Sequence, residues 1–417
     1  MKLILPNTKS LWREPAFGRL WAGQTVSFFG TWLGALSLLA IVTLEATPAQ
    51  MGLLETLATL PAVVLGLFAG VLVDRMRRRP LLVLADVGRA MILVGAAAAA
   101  FAGVLQITHL FVVVLFKGSL TVLYNIANDA YLPSVVKRER LVEANSTISA
   151  TESVAESVSP GLGGVLVQVV GAPLTLLIDG FTFVASALLI GSIRVPEVAA
   201  ARPEGEYEGV PTVWQEIRAG LGQVWGHEWL RPLVGSAGTF AFFGGFFAAL
   251  YSLYAIKELD LSPAVVGILI GTGGIGSFAG ALLLPRLNAR WNVGRILIAS
   301  AFVYAGLNFF IPLAGVMGSK VAAAGCLLAG QILGDVFGTI YRVSELTLRQ
   351  SHTPDHLLGR VNGSFSFLVQ TIGILGILTG GFLGQWLGMT IALAIAALGG
   401  LTACLWLFFS PVLKNKA

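Results

Sequence analysis

Twelve stretches of the sequence are long and apolar enough to cross a lipid bilayer as helices, and this feature constrains the fold most. A bilayer core of roughly 30 Å needs about 20 apolar residues in a helix. We therefore predict an all-α membrane protein with twelve transmembrane helices. The predicted spans are residues 17–42, 50–73, 80–104, 107–131, 144–170, 172–193, 230–256, 263–285, 296–316, 320–343, 361–386 and 389–410.

The composition excludes a water-soluble fold of this size. Of the 417 residues, 56% are hydrophobic and 12% are charged, whereas about 25% of residues are charged in ordinary soluble domains. The net charge of +5 does not indicate a nucleic-acid partner, because the basic residues are scattered between spans instead of forming one surface. We expect no cofactor and no metal, since neither Cys326 nor Cys404 stands at metal-ligand spacing.

The basic residues predict the orientation in the membrane, because cytoplasmic connections collect Lys and Arg. All 27 of them except Lys117, Lys257 and Lys320 fall on the side of the spans that carries both termini. We therefore expect both termini in the cytoplasm. An error of one helix would scramble this bias, so the bias supports the count of twelve.

A long polar connection divides the chain near its midpoint. We predict an N-terminal six-helix bundle at residues 1–193, a cytoplasmic linker at 194–229 and a C-terminal six-helix bundle at 230–417. The second part of the linker is predicted to form an amphipathic helix on the membrane surface or, alternatively, a helix that binds a partner. Its apolar face would consist of Trp214, Ile217, Leu221 and Trp225.

The two halves of the chain repeat one another. An offset of 217 residues aligns Asn145 with Asn362, Gly163-Gly164 with Gly380-Gly381, and Gln168 with Gln385. A run of matches on one offset, at equivalent places in both halves, indicates a duplication. Duplicated helical halves are typical of membrane transporters, so we expect a protein that moves a solute across a membrane.

A motif follows the second span. The segment Gly70-Val-Leu-Val-Asp74-Arg75-Met-Arg-Arg78-Arg resembles the G-x-L-x-D-R-x-G-R-[RK] loop of the major facilitator superfamily. The resemblance implies two pseudo-symmetric six-helix bundles and gating roles for Gly70, Asp74, Arg75 and Arg78. Asp74 would cap the helix beginning near residue 361, whose dipole favours a carboxylate. The simpler interpretation is that the arginines only anchor the topology.

Further segments narrow the resemblance. Ser-Pro160-Gly161-Leu-Gly163-Gly164 looks like the G-P-x-x-G-G antiporter motif of drug-exporting members. Leu20-Trp-Ala-Gly-Gln24, Leu141-Val-Glu-Ala-Asn145 and Thr353-Pro-Asp355 resemble the transmembrane secretion effector branch, which includes macrolide efflux proteins and the enterobactin exporter.

The branch resemblance implies a function. It implies a monomer in a bacterial cytoplasmic membrane that exports an amphipathic or lipophilic small molecule by proton antiport with alternating access. Protons, the small molecule and the lipid bilayer would be its partners. A lysophospholipid flippase of the same superfamily is the alternative, and the same scaffold could also import. No catalytic constellation and no Walker loop occurs in the sequence, so neither an enzyme nor an ATP-driven pump is expected.

Ionisable side chains inside the spans are the candidates for proton coupling. A charge at mid-span costs about 2.5 to 3.5 kcal/mol on insertion scales, so a retained charge has a partner or a task. Glu152 and Glu156 share one helical face, where their repulsion favours protonation of one of them near neutral pH. We predict a proton-exchanging site there, with Lys117 as its counter-ion; a structural salt bridge is the alternative. Asp335 and Glu55 are further candidates.

An aromatic stripe in the seventh span predicts one wall of the substrate cavity. Four aromatic residues recur there at spacings of four, four and three, which places them near one helical face. Packed or lipid-facing aromatics are the alternative. The stripe is Phe243, Phe247, Tyr251 and Tyr254. The predicted cavity residues are Gln24, Phe28, Asn125, Phe243, Phe247, Tyr251 and Gln331.

Overall fold

The computed structural model describes residues 11–66, 73, 76–195, 222 and 225–411. Twelve helices in these residues are long and apolar enough to cross a membrane, which confirms the predicted all-α fold. Six of them precede residue 196: α1 Pro15–Val42, α2 Pro48–Gly66, α3 Arg78–Phe101, α4 Ile107–Val135, α5 Arg138–Val170 and α6 Ala172–Gly191. Six follow: α7 Leu230–Lys257, α8 Pro263–Asn288, α9 Val293–Ala314, α10 Lys320–Ser351, α11 Leu358–Leu387 and α12 Met389–Phe408.

Most helix ends lie within a few residues of their predicted positions, but α10 is longer. It continues to Ser351, whereas the fall in hydropathy after residue 343 suggested an earlier end. The extra turns contain Glu345 and Arg349, which form a salt bridge of 3.4 Å. The Arg349 guanidinium also lies 3.9 Å from the centre of the Phe365 ring in α11. These contacts offset part of the free energy that it costs to place the charged side chains of the added turns inside the protein.

Four spans are interrupted in the described residues, α1, α8, α9 and α12, and the breaks in α1 and α8 lie at a glycine and a threonine. In α1 the regular helix stops at Trp32 and restarts at Ala35, because Gly34 adopts a φ of 67°, which glycine tolerates without steric cost. In α8 the interruption lies at Thr272, whose hydroxyl donates to the Leu269 carbonyl at 2.6 Å. Hydropathy alone predicts neither interruption.

The two bundles contact each other through pairs of closely packed helices, α2 against α11 and α5 against α8. A Cβ placed on Gly381 would lie 2.6 Å from the Gly52 Cα, and one on Gly164 would lie 3.1 Å from the Ala264 Cα. Glycine therefore permits backbone-to-backbone approach between the bundles. The segment predicted as an antiporter motif belongs to this contact: Gly161 faces α8, and Gly163 faces the Leu33 backbone of α1.

The bundles share a core at one end only. One cluster of buried apolar residues contains members of both bundles, such as Leu39 and Leu250, and lies where the helices are farthest from the termini. At the terminal end the clusters are separate: Phe17 and Tyr131 belong to an N-terminal cluster, and Leu233 belongs to a C-terminal one. The bundles are therefore joined at the end remote from the termini.

The linker prediction cannot be compared with the fold, because residues 196–221 and 223–224 lie outside the described residues. The predicted amphipathic face at Trp214, Ile217 and Leu221 falls there. The three-part division of the chain stays a prediction.

Substitution of Gly381 by alanine tests the contact between bundles. We expect Gly381→Ala to lower the free energy of unfolding by about 1 to 3 kcal/mol, the usual cost of overpacking. The matched control is Gly325→Ala in α10, where a Cβ meets nothing within 4 Å; it should be neutral or stabilising. Thermal unfolding in lipid nanodiscs measures both, and equal stability of the two variants would contradict the close approach.

Candidate transport site

The N-terminal bundle contains a cavity of about 500 Å³ that is lined from α1 to α5. Four of the predicted coupling or cavity residues meet here from α1, α2 and α4. The Glu55 carboxylate is held in place by the Ser37 hydroxyl, which donates to it at 2.7 Å. Glu152 of α5 is a fifth predicted residue on the wall of this cavity. The four predicted residues are Phe28, Glu55, Lys117 and Asn125.

The C-terminal bundle contributes a smaller cavity of about 240 Å³ between α7, α9 and α10. Its walls contain the predicted residues Phe247, Tyr251, Gln331 and Asp335. The Gln331 amide donates to the Asp335 carboxylate. The Tyr251 hydroxyl oxygen is buried and has no hydrogen-bond partner. Aromatic rings and a few oriented polar groups are the usual composition of a small-molecule site.

Lys117 forms its salt bridge with an acid other than the two glutamates that it was predicted to neutralise. Its ammonium group lies 3.3 Å from a carboxylate oxygen of Asp179 in α6. Asp179 is fully buried, and a buried carboxylate requires a cation, whereas Glu152 and Glu156 are exposed. The pair thus joins α4 to α6.

A second buried ion pair lies next to the first. Arg89 and Asp86, both of α3, form a salt bridge and are almost completely buried. The guanidinium lies 4.4 Å from the centre of the Tyr124 ring and 4.3 Å from that of Phe183. The Lys117 ammonium is 5.6 Å from the same Phe183 ring. Both cations are therefore neutralised by acids and covered by aromatic rings.

Several carboxylates of the two bundles form no salt bridge among the described residues. Glu152 interacts electrostatically with Glu156 and with Asp129 of α4. Asp335 of the C-terminal bundle interacts electrostatically with Arg342 and more weakly with Glu156. Sequence reasoning missed Asp129, because it lies at the predicted end of the fourth span. Its spacing of four from Asn125, a predicted cavity residue, was the available signal.

Gln24 does not line the cavity. The Gln24 side chain is completely buried. Its amide nitrogen donates a hydrogen bond to the side-chain oxygen (Oδ1) of Asn128 in α4. The C-terminal bundle has a similar bond between its corresponding helices, where Ser236 of α7 and Tyr341 of α10 lie 3.0 Å apart. In each bundle, a hydrogen bond between polar side chains thus joins the first helix to the fourth.

The aromatic stripe of α7 is also divided. Phe247 and Tyr251 line the C-terminal cavity, but Phe243 lines another cavity, of about 540 Å³, between α7, α11 and α12. Each step of four residues turns about 40° beyond one full helical turn, so Phe243 and Tyr251 diverge by about 80°. Tyr254 is buried beside Gly315. Phe243 therefore does not line the same cavity as Phe247 and Tyr251, and its role in transport stays a prediction.

The predicted gating residues Gly70, Asp74 and Arg75 lie outside the described residues. Arg78 is the first residue of α3. Its neighbour Arg79 donates to the backbone carbonyl of Gly191 at the end of α6. Gating by this loop stays a prediction.

The family follows from the comparison with known proteins. A family model described as Major Facilitator Superfamily matches residues 20–377. The chain belongs to the Major Facilitator Superfamily. Proteins of this family are transporters and not enzymes, in agreement with the two bundles and their cavities.

Several curated relatives are similar over most of their length. The uncharacterised MFS-type transporter YfiS of Bacillus subtilis (strain 168) is 25% identical, with 90% of this chain and 88% of the relative covered. The enterobactin exporter EntS of Salmonella typhi is 25% identical, covering 95% and 92%. Macrolide efflux protein A of Streptococcus pyogenes is 23% identical, covering 86% and 87%.

Two solved structures have the same fold. The nucleoside transporter NupG has a TM-score of 0.74 at 13% identity, with 96% of this chain and 100% of that chain covered. A bacterial homologue of the iron transporter ferroportin, in an inward-facing state, has a TM-score of 0.73 at 18% identity, covering 96% and 99%. At these identities the likeness concerns the fold alone.

Removal of Lys117 tests the buried ion pair. We expect Lys117→Met to destabilise the protein by about 3 to 5 kcal/mol, because Asp179 is left buried without a cation. The double variant Lys117→Met with Asp179→Leu should recover most of this loss. Lys320→Met is the control, because its pair with Asp260 is 61% and 78% exposed and exposed pairs are worth about 0 to 1 kcal/mol. Thermal unfolding that ranks the two lysine variants equally would refute the assignment.

Proposed function

We propose that this protein exports an amphipathic or lipophilic small molecule from a bacterial cell by proton antiport with alternating access. It would lie in the cytoplasmic membrane as a multi-pass monomer with both termini in the cytoplasm. The printed names of two relatives, an enterobactin exporter and a macrolide efflux protein, support export. The distribution of Lys and Arg supports the orientation.

The observation that carries the proposal is the uneven contact between the bundles. They share one apolar core remote from the termini and have separate cores at the terminal end. A substrate cavity between them would therefore be accessible from the terminal side. Rocking of the bundles about the glycine contacts would close that side and open the other.

Acidic residues on the walls of the cavities support proton coupling. Glu55 and Glu152 line the N-terminal cavity, and Asp335 lines the C-terminal one. Carboxylates in a site of low dielectric hold a proton more readily than in water. Proton binding could then alternate with substrate binding on the same face of the bundles.

Transport in proteoliposomes tests the coupling. A panel of amphipathic compounds should move against their gradient when a pH gradient is imposed, and collapse of that gradient should stop the movement. We expect Glu152→Gln and Glu156→Gln to reduce uphill transport at least tenfold while downhill exchange continues, because the neutral amide cannot exchange a proton. Asp260→Asn at the exposed remote end is the control. Unchanged uphill transport in both glutamate variants would reject their coupling role.

A lysophospholipid transporter of the same superfamily is the second candidate. The apolar cavity of about 540 Å³ beside Phe243 and Trp406 favours it, because a single acyl chain would fit such a lining. Lysophospholipid that competes with the transported compounds, or is itself flipped, would support this candidate.

A cysteine pair tests the rocking movement. A Cβ on Gly161 would lie 3.9 Å from the Ile268 Cα in the other bundle, a spacing that permits a disulfide. In a chain with Cys326 and Cys404 replaced by serine, we expect oxidised Gly161→Cys with Ile268→Cys to lose transport, because the remote end cannot open. Reduction should restore transport, and each single cysteine should leave it active. Full transport by the cross-linked protein would contradict alternating access at this contact.

A further inference from the structure

Two neighbouring cavities lie on the C-terminal bundle apart from the transport cavities. One, of about 540 Å³, is lined by α7, α11 and α12, and the other, of about 570 Å³, by the start of α7 and the end of α12. We call the two together the outer groove, because they share the lining residues Trp225, Thr402 and Trp406. Among the described residues, none lines both the outer groove and a transport cavity. A ligand of the groove is therefore separate from a substrate held in those cavities.

Glycines and aromatic rings shape the outer groove. A Cβ on Gly235 of α7 would overlap with the Trp406 ring, so the indole lies directly against the α7 backbone. The indole nitrogen of Trp406 also donates to the Thr239 hydroxyl at 3.2 Å. In the same way, a Cβ on Gly399 of α12 would overlap with the Phe243 ring. Packing and a hydrogen bond thus hold the rings in place, and the groove is formed before any ligand binds.

The walls of the outer groove are suited to hydrocarbon. In the described part of the chain, the larger cavity has no ionisable side chain in its lining. Leu405, Trp406 and Phe409, at the edge of the smaller cavity, are exposed. Exposed apolar side chains that adjoin one another mark a surface that contacts a membrane or a partner. Since α7, α11 and α12 are all long and apolar enough to cross a membrane, the groove faces lipid.

A single charge stands at one end of the outer groove. Arg231, in the first turn of α7, is the only ionisable residue among the described ones that line it. Its side chain is exposed and forms no salt bridge within the described ranges. The nearby Glu228 lines neither cavity. A guanidinium at this level, between Trp225 and Trp406, is placed as the interfacial residues of membrane proteins are.

The combination of one cation and an apolar groove selects the kind of ligand. A guanidinium binds phosphate oxygens in a bidentate manner, and lipid phosphates lie at the membrane surface. The apolar part of the groove continues from Arg231 along the spans, as an acyl chain does below its headgroup. A neutral lipid would leave the charge of Arg231 without a counter-ion. A protein partner would have to enter the bilayer to reach Phe243.

We propose that the outer groove binds one anionic glycerophospholipid, whose phosphate pairs with Arg231 and one of whose acyl chains lies beside Trp406 and Phe243. The lipid would be a resident ligand and not the transported compound, so the inference goes beyond the proposed function. It would connect α7, α11 and α12 on the side of the bundle that faces the bilayer. A ligand that binds only the folded state stabilises that state.

Two lipids that differ in charge test the headgroup contact. Delipidated protein in a neutral detergent is titrated with phosphatidylglycerol and phosphatidylcholine of identical acyl chains, and native mass spectrometry counts the bound molecules. We expect the first phosphatidylglycerol to bind at least about tenfold more tightly than the first phosphatidylcholine, because only its net charge is negative. Equal affinity for the two lipids would overturn the proposal.

A pair of arginine variants locates the phosphate. Arg231→Gln should remove the preference for phosphatidylglycerol. Arg290→Gln is the matched control, because Arg290 is an exposed base in the connection from α8 to α9, at the same end of the spans but outside the groove. This variant should keep the preference of the native protein. An equal loss in both variants would show that the attraction is that of any surface charge and would overturn the assignment.

A pair of tryptophan variants locates the acyl chain. Thr402→Trp places a large ring in both cavities of the groove and should weaken phosphatidylglycerol binding at least about tenfold. Leu398→Trp is the control, because Leu398 is exposed on α12 and lines neither cavity. Thermal unfolding of each variant without lipid separates lost binding from lost folding. Native binding by Thr402→Trp would overturn the proposal.

The same measurements separate this inference from the proposed function, since binding to the purified protein requires no transport. Protein that prefers phosphatidylglycerol but exports nothing would keep the lipid site and remove export. Protein that exports compounds but shows no preference between the lipids would keep export and remove the lipid site. A groove covered by another part of the chain would bind neither lipid, and that result would also overturn the proposal.

Discussion

Close contact between glycines at one end of the molecule is the interaction on which the rest of the structure depends. Gly52 and Gly381 bring α2 against α11, and Gly164 brings α5 against α8. Because lipid gives helices little hydrophobic reason to associate, packing of this closeness is a main source of cohesion between the bundles. Once the bundles are joined there, the diverging helices leave a space between them toward the termini. The cavities and their acids lie along that space.

A symmetric scaffold carries an asymmetric set of charges. Each bundle has a hydrogen bond between corresponding helices, Gln24 to Asn128 in one and Ser236 to Tyr341 in the other. In contrast, the pairs of Asp179 with Lys117 and of Asp86 with Arg89 occur only in the N-terminal bundle. Duplication explains the shared bonds as packing. The charges need another explanation, and two neutral pairs beside several unpaired acids give the site a net negative character.

The sequence predicts the helices well and the partners of polar side chains poorly. The spans are predictable because the bilayer requires about 20 apolar residues from each helix, whatever its neighbours. The glycine contacts were visible as repeats, since Gly164 and Gly381 occupy corresponding positions. The partner of Lys117 was not visible, because Asp179 is 62 residues away and spacing along one helix says nothing about it. The break at Thr272 was not predicted for a related reason, because the sequence stays apolar on both sides of it.

The glycine contacts and the unpaired acids together suggest how a small charge can move large bundles. Where backbones touch through glycines, few side chains lie between the two helices, so a change of angle at Gly164 or Gly381 disturbs few contacts there. Glu152 and Asp335, by contrast, line the cavities of the two bundles, where the dielectric is lower than that of water and Coulomb energies exceed those in solution. A proton bound to either acid therefore changes the electrostatic energy of the cavity wall more than it would in water. The joined end thus provides the pivot, and the acids provide the element that senses charge.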